Sequence, residues 1–419
     1  MSTASATSGP APAIAPPAPQ EYRHPFFLPH FRNLWLGSSI SVLGTQFNLV
    51  AMPWLVLQLT GSSLALGTIL MTATIPRTAL MLIGGAVTDR LSPRRVLTVT
   101  ALIRALLVGT VAVLVWFKVI QIWQIYVVTF LLGVADAFSF PAGGALIPSL
   151  VAPPQLPRAN SMFQSSSVLL QMIGPAPAAL LIKGLGIAFG FLVDALSFLA
   201  VLAALLTIPD RPRAPRPARP GMLQFIGEGL RAVWNDPPLV ALTAVFASIN
   251  LCVAGATGVG LASLAKFQFG SVAVLGTLLS CFAGGTLAGA LGGGLIKRPR
   301  QRGFQLIALS ALAGLALLAV GVVSGLVATG ALLALTGACF GLANVYFSSW
   351  AQARVDRALL GRVYSVVTLF AIGLLPVVHA ISGALAQWNV RGLFLATGAV
   401  LAVFNIAMAL TSKVAREID

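Results

Sequence analysis

Apolar stretches of about 20 residues or slightly more recur twelve times in this chain, near 33–59, 63–88, 95–117, 122–148, 158–182, 186–207, 238–264, 271–296, 302–324, 327–351, 360–386 and 391–412. That is the length a helix needs to cross the hydrocarbon core of a bilayer. Lipid offers no partner to an open sheet edge, so segments of this kind satisfy their backbone as helices. The expected fold is an all-α membrane protein with twelve transmembrane helices. Composition agrees: 58% of the 419 residues are apolar and only 9% are charged, with a mean hydropathy of +0.93. A soluble domain would carry far more surface charge.

The formal net charge of +16 reads first as membrane orientation, not nucleic-acid binding, in a chain this apolar. Of the 26 Lys and Arg, 20 fall in the tails and the even-numbered connections, against Lys118, Lys183, Lys266 and Arg391 on the other side. By the positive-inside rule both termini face the cytoplasm. Residues 1–30, rich in Ala, Pro, Ser and Thr at their start, read as a disordered tail without a signal peptide. The one long connection, 208–237, opens with the stiff, basic run Pro209-Asp210-Arg211-Pro212-Arg213-Ala214-Pro215-Arg216-Pro217. It separates a six-span half, 31–207, from a second, 238–412, with a short tail at 413–419. Within it Leu223, Ile226, Leu230, Val233 and Trp234 share a helical face turned from Glu228 and Arg231. Such a helix lies on the cytoplasmic leaflet or packs under the bundle.

The two halves echo each other. Gly67-Thr68 matches Gly276-Thr277, and Val151, Leu156, Arg158 and Ser161 match Val355, Leu360, Arg362 and Ser365. The block Gly85-Ala86-Val87-Thr88-Asp89-Arg90-Leu91-Ser92-Pro93-Arg94-Arg95 ends the second span, and Gly293-Gly294-Leu295-Ile296-Lys297-Arg298-Pro299-Arg300-Gln301-Arg302 repeats it at the end of the eighth. The offsets lie between 204 and 209 residues. Gly84 and Gly85 are small enough to let the second span approach a neighbour closely, and the Asp89 carboxylate suits a helix N-terminus or the cations Arg90, Arg94 and Arg95.

This block resembles the signature loop of the major facilitator superfamily. The resemblance spans about residues 30 to 412, with Ser92-Pro93 in place of the usual Gly-basic pair and Lys297 where the second copy would hold an acid. It implies two pseudo-symmetric six-helix bundles with a substrate site between them. It further implies a gating latch of Gly85, Asp89, Arg90, Arg94 and Arg95, with Asp89 against the eleventh helix. Gly174-Pro175-Ala176-Pro177 resembles the Gly-Pro core of the motif of antiporters in the superfamily, with Leu170, Ala178 and Ala179 where glycines usually stand; a kink in the fifth span is expected there. The stretches 145–151, 158–161, 173–176, 191–199 and 227–234 resemble the bacterial branch that contains the enterobactin exporter and macrolide efflux proteins. That implies efflux of a siderophore or amphipathic drug by alternating access, against inward-moving protons. A lysolipid or lipid-like facilitator and a non-transporting sensor that keeps the fold are the alternative readings.

Coupling would rest on acids inside spans, which cost about 2.5–3.5 kcal/mol at a helix centre on insertion scales. Asp136 and Asp194 are the two. By depth, Arg104 is positioned to pair with Asp136, and Arg77 with Asp194; in the alternative, either acid faces the cavity as a proton carrier. Gln46, Asn48, Gln164, Gln171, Asn250, Asn344, Tyr346 and His379 are the other polar candidates for the substrate cavity. Phe347 and Trp350 beside Asn344 and Tyr346 would suit an amphipathic or aromatic ligand, or an interfacial belt. His379 reads as a packing residue or a proton relay. Nothing points to an enzyme: there is no nucleotide-binding Gly-Lys-Ser/Thr loop, Cys252, Cys281 and Cys339 lack ligand spacing, and no metal or other cofactor is expected. The expected partners are a small molecule, protons and the bilayer, with the chain as a monomer.

Overall fold

A computed structural model describes residues 24–210, 230–295, 302–355 and 374–411, together with 227, 359, 363, 366, 367 and 373. The side chains of Asp89 and Arg90, most of 356–373 and most of the 211–229 connection lie outside the described residues.

The described chain is all helix and loop. In the first half the helices are α1 (Pro29–Thr60), α2 (Ser63–Arg90), α3 (Pro93–Trp116), α4 (Ile122–Leu146), α5 (Leu156–Ile173), α6 (Pro175–Leu185) and α7 (Ile187–Leu206). The second half contributes α8 (Pro237–Gly255), α9 (Leu261–Phe267), α10 (Val272–Leu295), α11 (Arg302–Val322), α12 (Leu326–Arg354), α13 (Leu375–Trp388) and α14 (Val390–Thr411). Ten are long and apolar enough to cross a membrane, counting α8 and α9 as one, and the bent pair α5–α6 makes eleven. The described part of the expected eleventh span, 360–386, is α13, so the count of twelve is not reached among the described residues.

Proline punctuates this architecture where theory places it. Pro29, Pro93, Pro175 and Pro237 open helices at the first turn, where a missing N–H costs nothing. At Gly174 the axis bends by 46° between α5 and α6. Gly174 is needed there for a second reason: a Cβ would stand 2.4 Å from Gln46 Cγ of α1. Between α8 and α9, residues Ala256–Gly260 wind into a π-helix, a local over-wide turn that proteins keep mostly at working sites.

Both halves pair their helices alike. In the first, α2 packs on α4 and α3 on α7; in the second, α10 packs on α12 and α11 on α14. The halves meet through α2 against α13 and through α5 and α6 against α10. The helix pair α10–α12 is in backbone contact because of its glycines: Cβ atoms at Gly285, Gly289, Gly337 and Gly341 would sit 2.0–2.1 Å from carbonyl oxygens of the partner helix. Small residues are how membrane helices gain contact when lipid is as apolar as their side chains. Gly84 does the same for α2 on α4, with its Cβ position 2.2 Å from the Ala137 oxygen, whereas Gly85 looks into open space. Only one of these two neighbouring glycines therefore serves close approach.

Candidate functional site

Asp194 of α7 is 2% exposed, and its Oδ2 accepts a 2.7 Å hydrogen bond from Asn48 Nδ2 of α1. Its other oxygen, Oδ1, is buried with no partner. Arg77, the counter-ion expected from depth, makes no ion pair among the described residues; Asn48, expected in the substrate cavity, takes that place. Depth along a helix can be counted from sequence, but the direction around its axis cannot, and here the direction decided the partner.

Arg104 of α3 does reach Asp136 of α4 and forms an ion pair with it through Nη2. The same guanidinium lies over the Phe198 ring of α7, 5.4 Å from its centroid, while its Nε is buried without a partner. Asn48, Arg104, Asp136, Asp194 and Phe198 all line one cavity of about 300 Å³. Residues of α1, α2, α3, α4 and α7 line it, so it lies within the first half. A volume of that size holds roughly ten waters at about 30 Å³ each. Asp136 is thus paired with Arg104 and also lines this cavity. Thr45, Thr129 and Phe198 were not singled out from sequence; Phe198, four residues after Asp194 and hence on the same face, was the readable one.

The halves touch at one end. Helix α1 starts at the other, where Asn33 meets Thr207 at the end of α7. At the far end the Ser63 and Ser263 hydroxyls, both buried, lie 2.8 Å apart across the halves. Gln387 Oε1 of α13 accepts from Ser62 Oγ at 2.9 Å and from the Leu64 amide. Gly67 and Gly383 meet backbone to backbone, and Lys266 Nζ sits 4.8 Å from the centre of the Trp54 ring. Ala176 N donates to Ser280 Oγ where α6 crosses α10. His379 of α13 is buried behind this seam, against Gly258 of the π-helix and the backbone of Leu70. Leu70 also lines the charged cavity, so one residue of α2 touches both places.

The remaining candidates are spread out. Gln46 is buried and donates to Val42 O; Gln171 donates to Ser167 Oγ; Asn250 and Asn344 donate to carbonyls one turn back on their own helices. Gln164 is exposed. Tyr346, Phe347 and Trp350 are buried, and Phe347 stacks on Phe246 with ring centres 4.2 Å apart. Of the expected latch, Arg94 Nε donates to Leu205 O at the end of α7, and Arg95 Nε pairs with Asp210 Oδ2 at 2.5 Å. A cation on the last carbonyls of a helix complements its dipole. Both arginines are thus committed to α7 and the segment just after it. In the connection Val233 is buried and Trp234 is 70% exposed.

The arrangement is that of a carrier, with a seam closed at one end and polar groups buried behind it. Residues 34–378 match the Major Facilitator Superfamily, and the chain belongs to it. It is a multi-pass membrane transporter and not an enzyme. The chain is 28% identical over 414 residues to the multidrug efflux pump Tap of Mycolicibacterium fortuitum, covering 95% of this chain and 98% of that protein. It is 23% identical to macrolide efflux protein A of Streptococcus pyogenes, over 93% and 97% of the two chains. Among solved structures it superposes on a bacterial homologue of the iron transporter ferroportin in an inward-facing state, with a TM-score of 0.73 at 17% identity over 92% and 98% of the chains. A point mutant of the nucleoside transporter NupG gives 0.72 at 13% identity, over 92% and 100%.

Proposed function

We propose that this chain exports amphipathic drug-like molecules from the bacterial cytoplasm in exchange for protons, by alternating access and as a monomer. The observation that carries the reading is Asp194: a carboxylate 2% exposed inside a membrane bundle, with one oxygen unpartnered and no cation paired to it among the described residues. A buried carboxylate stabilised by Asn48 and by the nearby Arg104, without an ion pair of its own, is expensive, and binding a proton relieves that cost. Asp136 already has Arg104, so Asp194 is the carrier and Asp136 its neighbour. The names of the two relatives favour drug efflux over siderophore or lipid transport.

The basic bias of the connections supports cytoplasmic termini in the inner membrane. With that orientation the closed far end faces outward, and the chain stands ready to load from inside. Substrate would then enter between the halves, past Gln164, Gln171, Asn250 and Asn344. The π-helix at Ala256–Gly260 and the bend at Gly174 are the places where α8 and α5 can flex as the far seam opens. Asp89 with Arg90 would close the cytoplasmic end against the eleventh span in the opposite state, while Arg94 and Arg95 brace α7.

Proteoliposomes under an imposed pH gradient test the reading, with a macrolide and a lipophilic cation as substrates. Substrate-dependent proton flux is expected in the wild type and lost in Asp194→Asn. Substrate transport that proceeds without proton movement would overturn the coupling and leave the export.

A further inference from the structure

We propose that Arg104 changes partners during the cycle, pairing with Asp136 while Asp194 holds a proton and with Asp194 once that proton has left. The inference rests on the proton-exchange reading above and assigns Arg104 as the positioning residue for it. Two orphaned atoms suggest the exchange. Arg104 Nε is a buried donor without an acceptor, and Asp194 Oδ1 is a buried acceptor without a donor. Each such atom costs about 1–3 kcal/mol, and both belong to residues lining one cavity. The Phe198 ring, one turn from Asp194 on α7, already carries the guanidinium on its face. A cation moves across an aromatic face while keeping part of its attraction, worth about 0.5–2 kcal/mol.

Charge counting gives the stoichiometry. Among the groups that line the cavity two carboxylates share one guanidinium, which stays charged throughout, so one negative charge there lacks an ion-pair partner and one proton binds. The proton leaves Asp194 as H⁺ to water; the carboxylate so formed draws Arg104 away from Asp136. Asp136, 35% exposed, is then left to water. The other charged or titratable groups nearby are Arg77 of α2, one turn beyond Ala73 of the cavity wall, and His379 of α13, on the far side of Leu70. Helix α1 contributes Asn48 and Thr45, α3 Arg104, α4 Asp136 and α7 Asp194.

The exchange makes a prediction a rigid structural pair does not. Removing the charge of Asp136 should disable Asp194 without touching it, because Arg104 then stays on Asp194 and keeps the proton off. The full-length chain in nanodiscs, in weak buffer with a pH-indicator dye, is mixed with tetraphenylphosphonium or a macrolide. Wild type should release protons, and Asp136→Asn should release about tenfold fewer, the loss produced by one pair worth about 1.4 kcal/mol. Release should return in the double variant Arg104→Gln/Asp136→Asn. Equal release from wild type and folded Asp136→Asn overturns the exchange and leaves the carrier assignment; no release from wild type with either probe overturns both. A second measurement avoids any folding defect of Asp136→Asn. The ¹⁵Nε resonance of Arg104, assigned by its absence in Arg104→Lys, should move with pH in the wild type and stay fixed in Asp194→Asn. A resonance that stays fixed in the wild type across the pH range of proton release overturns the exchange.

Discussion

The two halves repeat one helix pairing and differ in what they bury. Arg77, Arg104, Asp136 and Asp194 all lie within spans of the first half, and the cavity beside them is lined by five of its helices. The second half has no acid inside a span; Asp236 sits at the start of α8 and pairs with Arg354 at 2.7 Å. In place of charge it has four glycines that bring α10 and α12 into backbone contact. The difference teaches that one repeated framework holds ionisable groups within the spans of its first half and closely packed glycine contacts in its second. Leu70, which lines the charged cavity and meets His379 of α13, is where one half can sense the other.

The largest effect should come from removing the cation paired with Asp136. Arg104→Leu leaves Asp136 without its partner and should lower stability by about 1–2 kcal/mol, less than a fully buried pair would lose because the Asp136 side chain is 35% exposed. Lys266→Leu, which removes a cation from the second half, should cost under about 1 kcal/mol, since it loses a cation–π contact alone. Thermal unfolding of both variants in the same nanodiscs checks the contrast. Equal costs would break the comparison between the halves.

The next effect tests the second half's packing. Gly337→Ala places a methyl where the Phe282 oxygen stands 2.1 Å away, so α12 must move off α10 at about 1–3 kcal/mol. Gly85→Ala in α2, with open space around it, should be close to neutral. Transport should also slow in Gly337→Ala if the half moves as one body. A stable, fully active variant would show that the seam is not what keeps it rigid.

Much of this was readable beforehand, and the parts that were not share a cause. The spans other than the eleventh, 360–386, came out within a few residues because lipid imposes a length and an apolar content that one sequence displays directly. The bend at Gly174-Pro175 followed from proline chemistry, and the Arg104–Asp136 pair from matched depth. Asn48 as the partner of Asp194 was missed because residue counting gives depth but not azimuth. The π-helix was missed as well, since Ala256-Thr257-Gly258-Val259-Gly260 looks the same in any helical winding. The contact of Arg94 with the end of α7 was not readable, because those carbonyls lie over a hundred residues away in the chain; the Asp89 side chain lies outside the described residues. The aromatic residues of α12 read as a ligand surface because composition does not reveal which face a neighbouring helix covers.

A smaller effect concerns the far seam. Ser263→Ala removes the hydroxyl that meets Ser63 across the halves and should weaken the closed end by about 1 kcal/mol, the net worth of an ordinary hydrogen bond. A cysteine placed at Leu64 would then label several times faster from outside than in the unmodified protein. Unchanged labelling would mean that the Gly67–Gly383 contact and Gln387 hold the seam without it.

The smallest effect lies outside the membrane, where Asp210 joins the start of α3 to the segment after α7. Its carboxyl is held below the usual carboxylate range, first by a hydrogen bond from Ser92 and then by Arg95 and Arg94, against a smaller opposing desolvation. A carboxyl that is more acidic folded than unfolded adds stability that is fully present above its unfolded pKa, about 3.9 for Asp. That contribution fades as pH falls through the lower folded value, because both states then carry the proton. Stability of the wild type should therefore drop relative to Asp210→Asn only below about pH 4. The site is exposed, so salt should shrink the difference further. Paired melts across roughly pH 3 to 7 at two ionic strengths measure it, and a gap that is constant with pH would mean that the Asp210 carboxylate adds nothing through its charge. In that case the bracing of α7 would belong to Arg94 and the carbonyl of Leu205 alone, which is a backbone contact that no change of acid can titrate.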